Sequence, residues 1–189
     1  MRLMLITSNM GKLAEFRSAL TPLGLEVLHS DEDCDEIQAD SLEEVVRSCL
    51  LQLQDRGRRD IAIDDSGLFV HALGGFPGVY SSYVLRTIGM EGILRLLDGR
   101  EDRGAHFECC IGASIGGEEI IVHGRCDGTI SMRPSGHEGF GFDPIFVPAG
   151  FERTFAEISI TEKNGISHRG RAIQAFAEEL RGRLNEAHR

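Results

Sequence analysis

Apolar residues at 3–6 (LMLI) form a short uninterrupted run, which predicts a buried strand. Polar TSNMGK follows at 7–12, and then Leu13, Phe16, Leu20 and Leu23 recur at helical spacing. Asn9 is placed to cap that helix, Pro22 and Gly24 mark its end, and Leu25–Leu28 predict a second strand. The opening therefore reads strand, polar loop, helix, strand. An acidic loop, DEDCDE, spans 31–36. Beyond it, Ser41 and Glu44 have capping-box spacing ahead of a second helix, in which Leu42, Val45, Val46, Cys49, Leu50 and Leu53 share a face. RGRRD is a charged turn, and IAI at 61–63 predicts a short buried strand that ends on Asp64-Asp65.

The second half is richer in strand signals. GGFPG at 74–78 is turn-forming, and Ile93, Leu94, Leu96 and Leu97 predict a short helix. Phe107, Cys109, Ile111, Ala113 and Ile115 alternate with more polar residues, the pattern of a half-buried strand. Gly116-Gly117 is a hairpin turn leading into a partner strand at 118–126. A Gly-rich loop, GHEGFGFDP, occupies 136–144, and Ile173, Ala177, Leu180 and Leu184 mark a final helix running from Ser167 to the C-terminus. There is no internal repeat, low-complexity tract or linker, so residues 1–189 are expected to form one domain. Helices and strands that alternate and then give way to a hairpin predict an α/β fold with a mixed β-sheet.

Composition narrows the function. Hydrophobic residues make up 41% and charged residues 26%, ordinary for a soluble globular chain. A net charge of −10 argues against a nonspecific nucleic-acid surface, which needs a basic face. It leaves room for a nucleotide, because a few local cations suffice and Lys163, His168, Arg169, Arg171, Arg181, Arg183 and Arg189 gather late in the chain. The apolar run in MRLMLITSN is too short for a signal peptide or a membrane span, which predicts a cytoplasmic chain without a membrane partner. The five cysteines form no C-x-x-C, so they read as buried reduced thiols rather than a zinc site or a disulfide framework.

Four segments could carry chemistry. TSNMGK lies where a strand feeds a helix, so its N–H groups, the Thr7, Ser8 and Asn9 side chains and the Lys12 ammonium could hold phosphate; the plain alternative is a capped turn. It is not a P-loop, since G-x-x-x-x-G-K-[ST] is absent. In DDSGL at 64–68, successive residues point to opposite faces, so one Asp can face a cleft while the other makes structural hydrogen bonds. Carboxylates beside phosphates call for a hard cation such as Mg²⁺; the alternative is a turn with solvated acids. In GFGFDP at 139–144, Phe rings flanked by Gly could offer flat faces to a base, and Asp143 could accept from a ring N–H; the alternative is a tight turn with core Phe residues. EKNGISHRGRA at 162–172 sets Lys, His and two Arg ahead of a helix, or is simply a basic capping segment. Glu36, one acid among several in 31–36, carries little weight by itself.

Taken together, TSNMGKLAEF (7–16), DDSGL (64–68), PGVYS (77–81), GFGFDPIF (139–146), TFAEIS (154–159) and EKNGISHRGRA (162–172) resemble, in order, the inosine/xanthosine triphosphate pyrophosphatase family. The stretch EIQADSLEE (36–44) is more similar to archaeal members than to bacterial ones. The resemblance implies an elongated mixed sheet flanked by helices, with two lobes around a central nucleotide cleft, and a homodimer. It implies hydrolysis of ITP, dITP and XTP to the monophosphate and pyrophosphate, which removes them from the nucleotide pool. Thr7, Ser8, Asn9, Met10, Gly11 and Lys12 would hold the triphosphate. Glu36 and Asp65 would bind Mg²⁺, with Asp65 also the general base, and Ser66 would touch substrate. Phe140, Gly141, Phe142 and Asp143 would surround the base, and Lys163, His168 and Arg169 would complete the pocket. Buried donors on Arg169 or His168 would pair with the 6-carbonyl of hypoxanthine or xanthine and be left unpaired by adenine.

The chain departs from the family pattern in places. Bacterial relatives carry Asn-Ala-x-x-Lys-Ala on the second helix; VVRSCL (45–50) stands here, without that phosphate-binding Lys, and Arg47 is the candidate replacement. Phe142 stands where some eukaryotic members carry Trp, and Ser82-Tyr83 follows PGVYS in place of the usual Ala-Arg. Two other readings remain open at this point: a nucleotide-binding regulatory module without catalysis, and a pyrophosphatase for pyrimidine or other modified nucleotides.

Overall fold

The structure, a computed structural model, describes residues 2–186, with side chains as far as residue 183. Leu184, expected on the inner face of the last helix, has its side chain outside the described residues. In chain order the elements are β1 (Arg2–Ile6), α1 (Met10–Leu20), β2 (Glu26–Ser30), α2 (Leu42–Asp55), β3 (Ile61–Val70) and β4 (Pro77–Gly78). They continue as α3 (Ser81–Thr87), α4 (Gly89–Leu96), β5 (Gly104–Ile115), β6 (Glu118–Ile130), β7 (Phe146–Pro148), α5 (Ile160–Ile166) and α6 (His168–Glu186). One mixed sheet runs β2-β1-β3-β5-β6-β7, with β4 added to β3. β1 is parallel to β2 and β3, and the remaining pairings are antiparallel. The expected α/β class with a mixed sheet is what forms.

Strand alternation assigns the two faces of the sheet. Leu3 and Leu5 of β1, Ala62 of β3, and Cys109, Ile111 and Ala113 of β5 share one core with Leu13, Phe16 and Leu20 of α1 and Ala172, Ile173, Phe176, Ala177 and Leu180 of α6. Ile6, Ile61, Ile63 and Cys110 face the other way, against Leu42, Val46, Cys49, Leu50 and Leu53 of α2. A third core, with Leu68, Val84, Ile93, Phe107, Phe146 and Phe155, fills the far end. Asn9 caps α1 as expected: its side-chain oxygen accepts from Gly11 N at 2.9 Å and Lys12 N at 3.3 Å. Ser41 Oγ caps α2 by accepting from Glu44 N, while the Glu44 carboxylate accepts from Asp40 N rather than from Ser41. Among the described residues, no helix is long and apolar enough to cross a membrane.

Two strand expectations need correction. β3 does not stop at Asp64-Asp65 but runs on to Val70, pairing with β5 throughout; the register sets Asp64 opposite Ile111, Asp65 opposite Cys110 and Ser66 opposite Cys109. β5, in turn, is not half-buried: from Cys109 to Ser114 every residue is buried. Its "polar" positions are small rather than solvated, and they lie under α2. A Cβ on Gly112 would strike Val46 and Leu50. Gly112→Ala is therefore expected to destabilise by about 1–3 kcal/mol through overpacking, measured by urea unfolding, with Gly112→Val worse. An unchanged midpoint would mean that α2 shifts freely.

Candidate active site

The long β3 places the two carboxylates. β1 pairs with β3 only at Ile61 and Ala62, then gives way to the TSNMGK loop, so Asp64, Asp65 and Ser66 lie at an edge that β1 leaves open. In α/β sheets this crevice beyond the ends of parallel strands is where ligands bind. A cleft of about 540 Å³ opens here, and Thr7, Ser8, Asn9, Lys12, Glu36 and Asp65 line one part of it. Ser66, Phe140, Gly141, Phe142, Asp143, Lys163, His168 and Arg169 also line it. Of the sequence-derived site residues, Met10 and Gly11 do not line the cleft: Met10 is 60% exposed, and the Gly11 N–H is engaged by Asn9.

Asp64 and Asp65 point to opposite faces and behave differently. Asp64 lies on the α1/α6 side with its side chain fully buried, where Oδ2 meets Lys12 Nζ at 3.0 Å and Arg169 Nε at 3.2 Å. Burial alone would raise its carboxyl; the Lys12 and Arg169 charges outweigh that and hold it below the usual range. Arg169 also reaches Ser66 Oγ at 3.4 Å and Glu15 Oε2 at 3.7 Å. Asp65 lies on the α2 side. Burial pushes its carboxyl up to about 6, against the pull of Lys12 and the Ser66 N–H, and the Asp64 and Glu36 charges push it further the same way. The sequence allowed one structural and one cleft-facing Asp. The structure shows Asp64 as the hub joining α1, β3 and α6.

The other end is aromatic and cationic. Lys163 of α5 meets Asp143 Oδ2 at 2.5 Å, and that oxygen also accepts from Phe140 N at 2.8 Å. Asp143 therefore ties its own loop together. Phe140 is 51% exposed, with Lys163 Nζ 5.0 Å and the Arg169 guanidinium 5.3 Å from its ring centre. Phe142 is buried in the third core. His168 stacks on Phe107, with centroids 4.6 Å apart and planes at 13°. Burial, then the Arg169, Lys163 and Lys12 charges, push its imidazole well below its ordinary value, so it is neutral. Its Nδ1 is buried without a hydrogen-bond partner. Helix α6 delivers His168 and Arg169 here because its first turn lies directly on Gly124 of β6, where any Cβ would meet His168 O and Ala172 N.

Two expectations about α2 and its loop are overturned. Arg47 does not enter the cleft; it is held outside by Glu43, at 2.8 Å, and by Glu119. In VVRSCL the position of the bacterial Lys falls to Cys49, which is joined to Cys34 in a disulfide, and both cysteines line the cleft. The expectation of five reduced thiols thus holds only for the buried Cys109, Cys110 and Cys126. An odd count without C-x-x-C hid a pair separated by 15 residues, which a loop folding back over a helix brings to a Cα–Cα distance of 5.5 Å. Sequence reasoning also missed Glu15, which reaches Arg169, and Phe107 and Leu85, which line the cleft. Only the Glu15 position within TSNMGKLAEF carried a signal.

The comparisons agree with this geometry. A family model described as the Ham1 family matches residues 3–179. A dITP/XTP pyrophosphatase of Thermococcus kodakarensis is 54% identical over 184 residues, covering 97% of this chain and 100% of the relative. A protein of the same name from Pyrococcus horikoshii is 48% identical over 184 residues, covering 97% and 99%. Both are archaeal, as the 36–44 stretch suggested. The solved Ham1 protein of Staphylococcus aureus superposes with a TM-score of 0.87 at 29% identity, covering 97% of this chain and 100% of that one. A match that runs almost end to end and takes in every segment of the cleft shows that the chain belongs to the Ham1 family.

Proposed function

We propose that the chain hydrolyses dITP, ITP and XTP to the nucleoside monophosphate and pyrophosphate, with Mg²⁺ as its cation, as a one-domain homodimer acting on the cytoplasmic nucleotide pool. One observation carries this reading. A single cleft collects the Thr7–Lys12 loop, the Asp65 and Glu36 carboxylates, and a neutral His168 with an unpaired ring nitrogen. A regulatory module needs no carboxylate pushed up to about 6 beside a phosphate loop. The names of the relatives from Thermococcus kodakarensis and Pyrococcus horikoshii, both dITP/XTP pyrophosphatases, support the substrate class.

The residues fit a magnesium ion. Glu36 and Asp65 are hard oxygen donors, and the Glu36 charge adds to the cost of ionising Asp65. Among the described residues, no group of three or more His, Cys, Asp or Glu forms a ready metal cage. Mg²⁺ takes one or two carboxylates and fills its shell with phosphate oxygens and water, and Glu36 and Asp65 line the same cleft as the Thr7–Lys12 loop. When bound, it neutralises phosphate charge and favours attack at phosphorus. Asp65, ionised above about pH 6, accepts the proton of the attacking water. Lys12, held by Asp64, faces the negative charge of the departing pyrophosphate.

Base choice falls to His168 rather than Arg169. The guanidinium is already engaged by Asp64, Ser66 and Glu15. The neutral His168 ring lines the cleft, where its N–H can donate to a purine 6-carbonyl and would meet a second donor in adenine. Phe140 offers its exposed ring for stacking. Pyrophosphate release across a triphosphate panel, with and without Mg²⁺, tests the assignment; ATP turned over as well as ITP would sink it. His168→Phe keeps the stack on Phe107 but removes the ring N–H. It is expected to lower kcat/KM for ITP by about 10–100-fold while changing ATP little, so the ratio collapses.

A further inference from the structure

Residues 31–40 form no helix or strand, yet Glu36 stands among them. What fixes this loop is a row of ties to α2 and the turn after it. Gln52 donates to Asp35 O at 2.8 Å and accepts from Asp35 N at 2.9 Å. Arg56 donates to Asp33 O at 2.5 Å, and Arg58 pairs with Glu32 at 2.8 Å. Between these contacts lies the Cys34–Cys49 disulfide, the covalent tie. Hydrogen bonds and ion pairs on exposed atoms exchange readily with water and hold little alone. The loop also carries Asp31, Glu32, Asp33, Asp35 and Glu36, whose mutual repulsion works to lift it away.

We propose that the Cys34–Cys49 disulfide is a redox latch that positions Glu36 opposite Asp65, and that dithiol reduction from the cleft releases it. The proposal rests on reading Glu36 as a metal carboxylate. Both sulfurs belong to cleft-lining residues; Cys34 is half-buried and Cys49 is buried in the α2 core. A thiolate of the dithiol attacks Sγ of Cys34, forming a mixed disulfide and expelling Cys49 as thiolate. The second thiol of the reductant closes on the first and frees Cys34. Two electrons pass from the dithiol to the protein disulfide, and its two protons end on Cys34 and Cys49. Released, the loop keeps Gln52 and Arg56 but loses its fixed point two residues before Glu36, and metal binding weakens while Asp65 and the base pocket stay in place.

The test compares the protein as purified with the protein treated with dithiothreitol. Thiol titration in denaturant should count three free thiols before treatment, for Cys109, Cys110 and Cys126, and all five cysteines after it. The Mg²⁺ concentration for half-maximal pyrophosphate release should rise about 10–100-fold on reduction, with the rate at saturating Mg²⁺ changed far less. Binding of Mn²⁺ alone, followed by electron paramagnetic resonance, should weaken in parallel. Hydrogen exchange should speed up across 31–40 and not in β3. Cys34→Ser should match the reduced protein and ignore dithiothreitol. Five titratable thiols in the protein as purified overturn the proposal, and so does a Mg²⁺ requirement untouched by reduction. Glu36→Gln in the oxidised protein separates the two levels: an unchanged Mg²⁺ requirement there overturns the metal reading itself.

Discussion

Asp65→Asn is expected to lose about 10³-fold in turnover and, without metal, to gain stability. Both effects have one cause. The folded environment raises the Asp65 carboxyl from 3.8 to about 6, chiefly by burial. A raised value means that the folded state holds the proton more tightly than the unfolded chain does. The stabilisation this gives is complete below about pH 4 and is lost as pH rises through 6. Above that, the ionised carboxylate costs roughly 2 kcal/mol, allowing for its partial contact with solvent. Asn cannot ionise, and its Oδ1 can still accept from the Ser66 N–H, as Asp65 Oδ1 does at 2.8 Å. In EDTA at pH 8 the variant should melt about 4–8 °C above the wild type, and the gap should close toward pH 4. Adding Mg²⁺ should raise the wild-type Tm and leave the variant unmoved. Equal melting at all pH values would remove the buried charge from the account. Near-normal turnover would remove Asp65 from the chemistry.

The same site shows what periodicity can and cannot disclose. The α1 face was legible because Leu13, Phe16 and Leu20 sit at helical spacing and all three are buried. Asn9 and Gly116-Gly117 were legible because a cap and a tight turn demand particular side chains and particular backbone angles, and both glycines do adopt positive φ. Periodicity reports contact with water, so it failed where polarity and burial part company. Two carboxylates looked like a strand end, yet Asp64 is buried in mid-strand because Lys12 and Arg169, 105 residues from it, neutralise it there. Cys110, Gly112 and Ser114 looked half-solvated, yet they lie under α2 because they are small. Arg47 looked like a replacement for the absent Lys because sequence gives spacing along α2 without saying which acids lie beside it. The segments that line the cleft were legible through resemblance, but the partners of their side chains were not. Asp143, which lines the cleft as the resemblance implied, also binds Lys163 and the Phe140 N–H through Oδ2, contacts that spacing does not disclose.

That pair carries the other large effect. Lys163→Met is expected to destabilise by about 3–5 kcal/mol, beyond what its length or helix propensity would cost. The side chains are 11% and 4% exposed, so Met leaves the Asp143 carboxylate buried with only the Phe140 N–H against it. It also removes the ammonium from the Phe140 and Phe155 rings. Asp143→Asn is expected to cost less, because Asn keeps an acceptor for Phe140 N and the stranded Lys163 can reach solvent along its stem. Combining the two removes both charges together, so the double variant should be more stable than Lys163→Met alone. A double-mutant cycle in urea should return a coupling of about 2 kcal/mol or more. Kinetics then separates scaffold from site. If the pair chiefly holds the Phe140 loop in shape, the double variant should raise KM for ITP while retaining most of kcat, since Asp65 and Lys12 are untouched. A kcat that falls as far as KM rises would place the ammonium in the reaction itself, and additive energies would show that burial, rather than pairing, sets the cost.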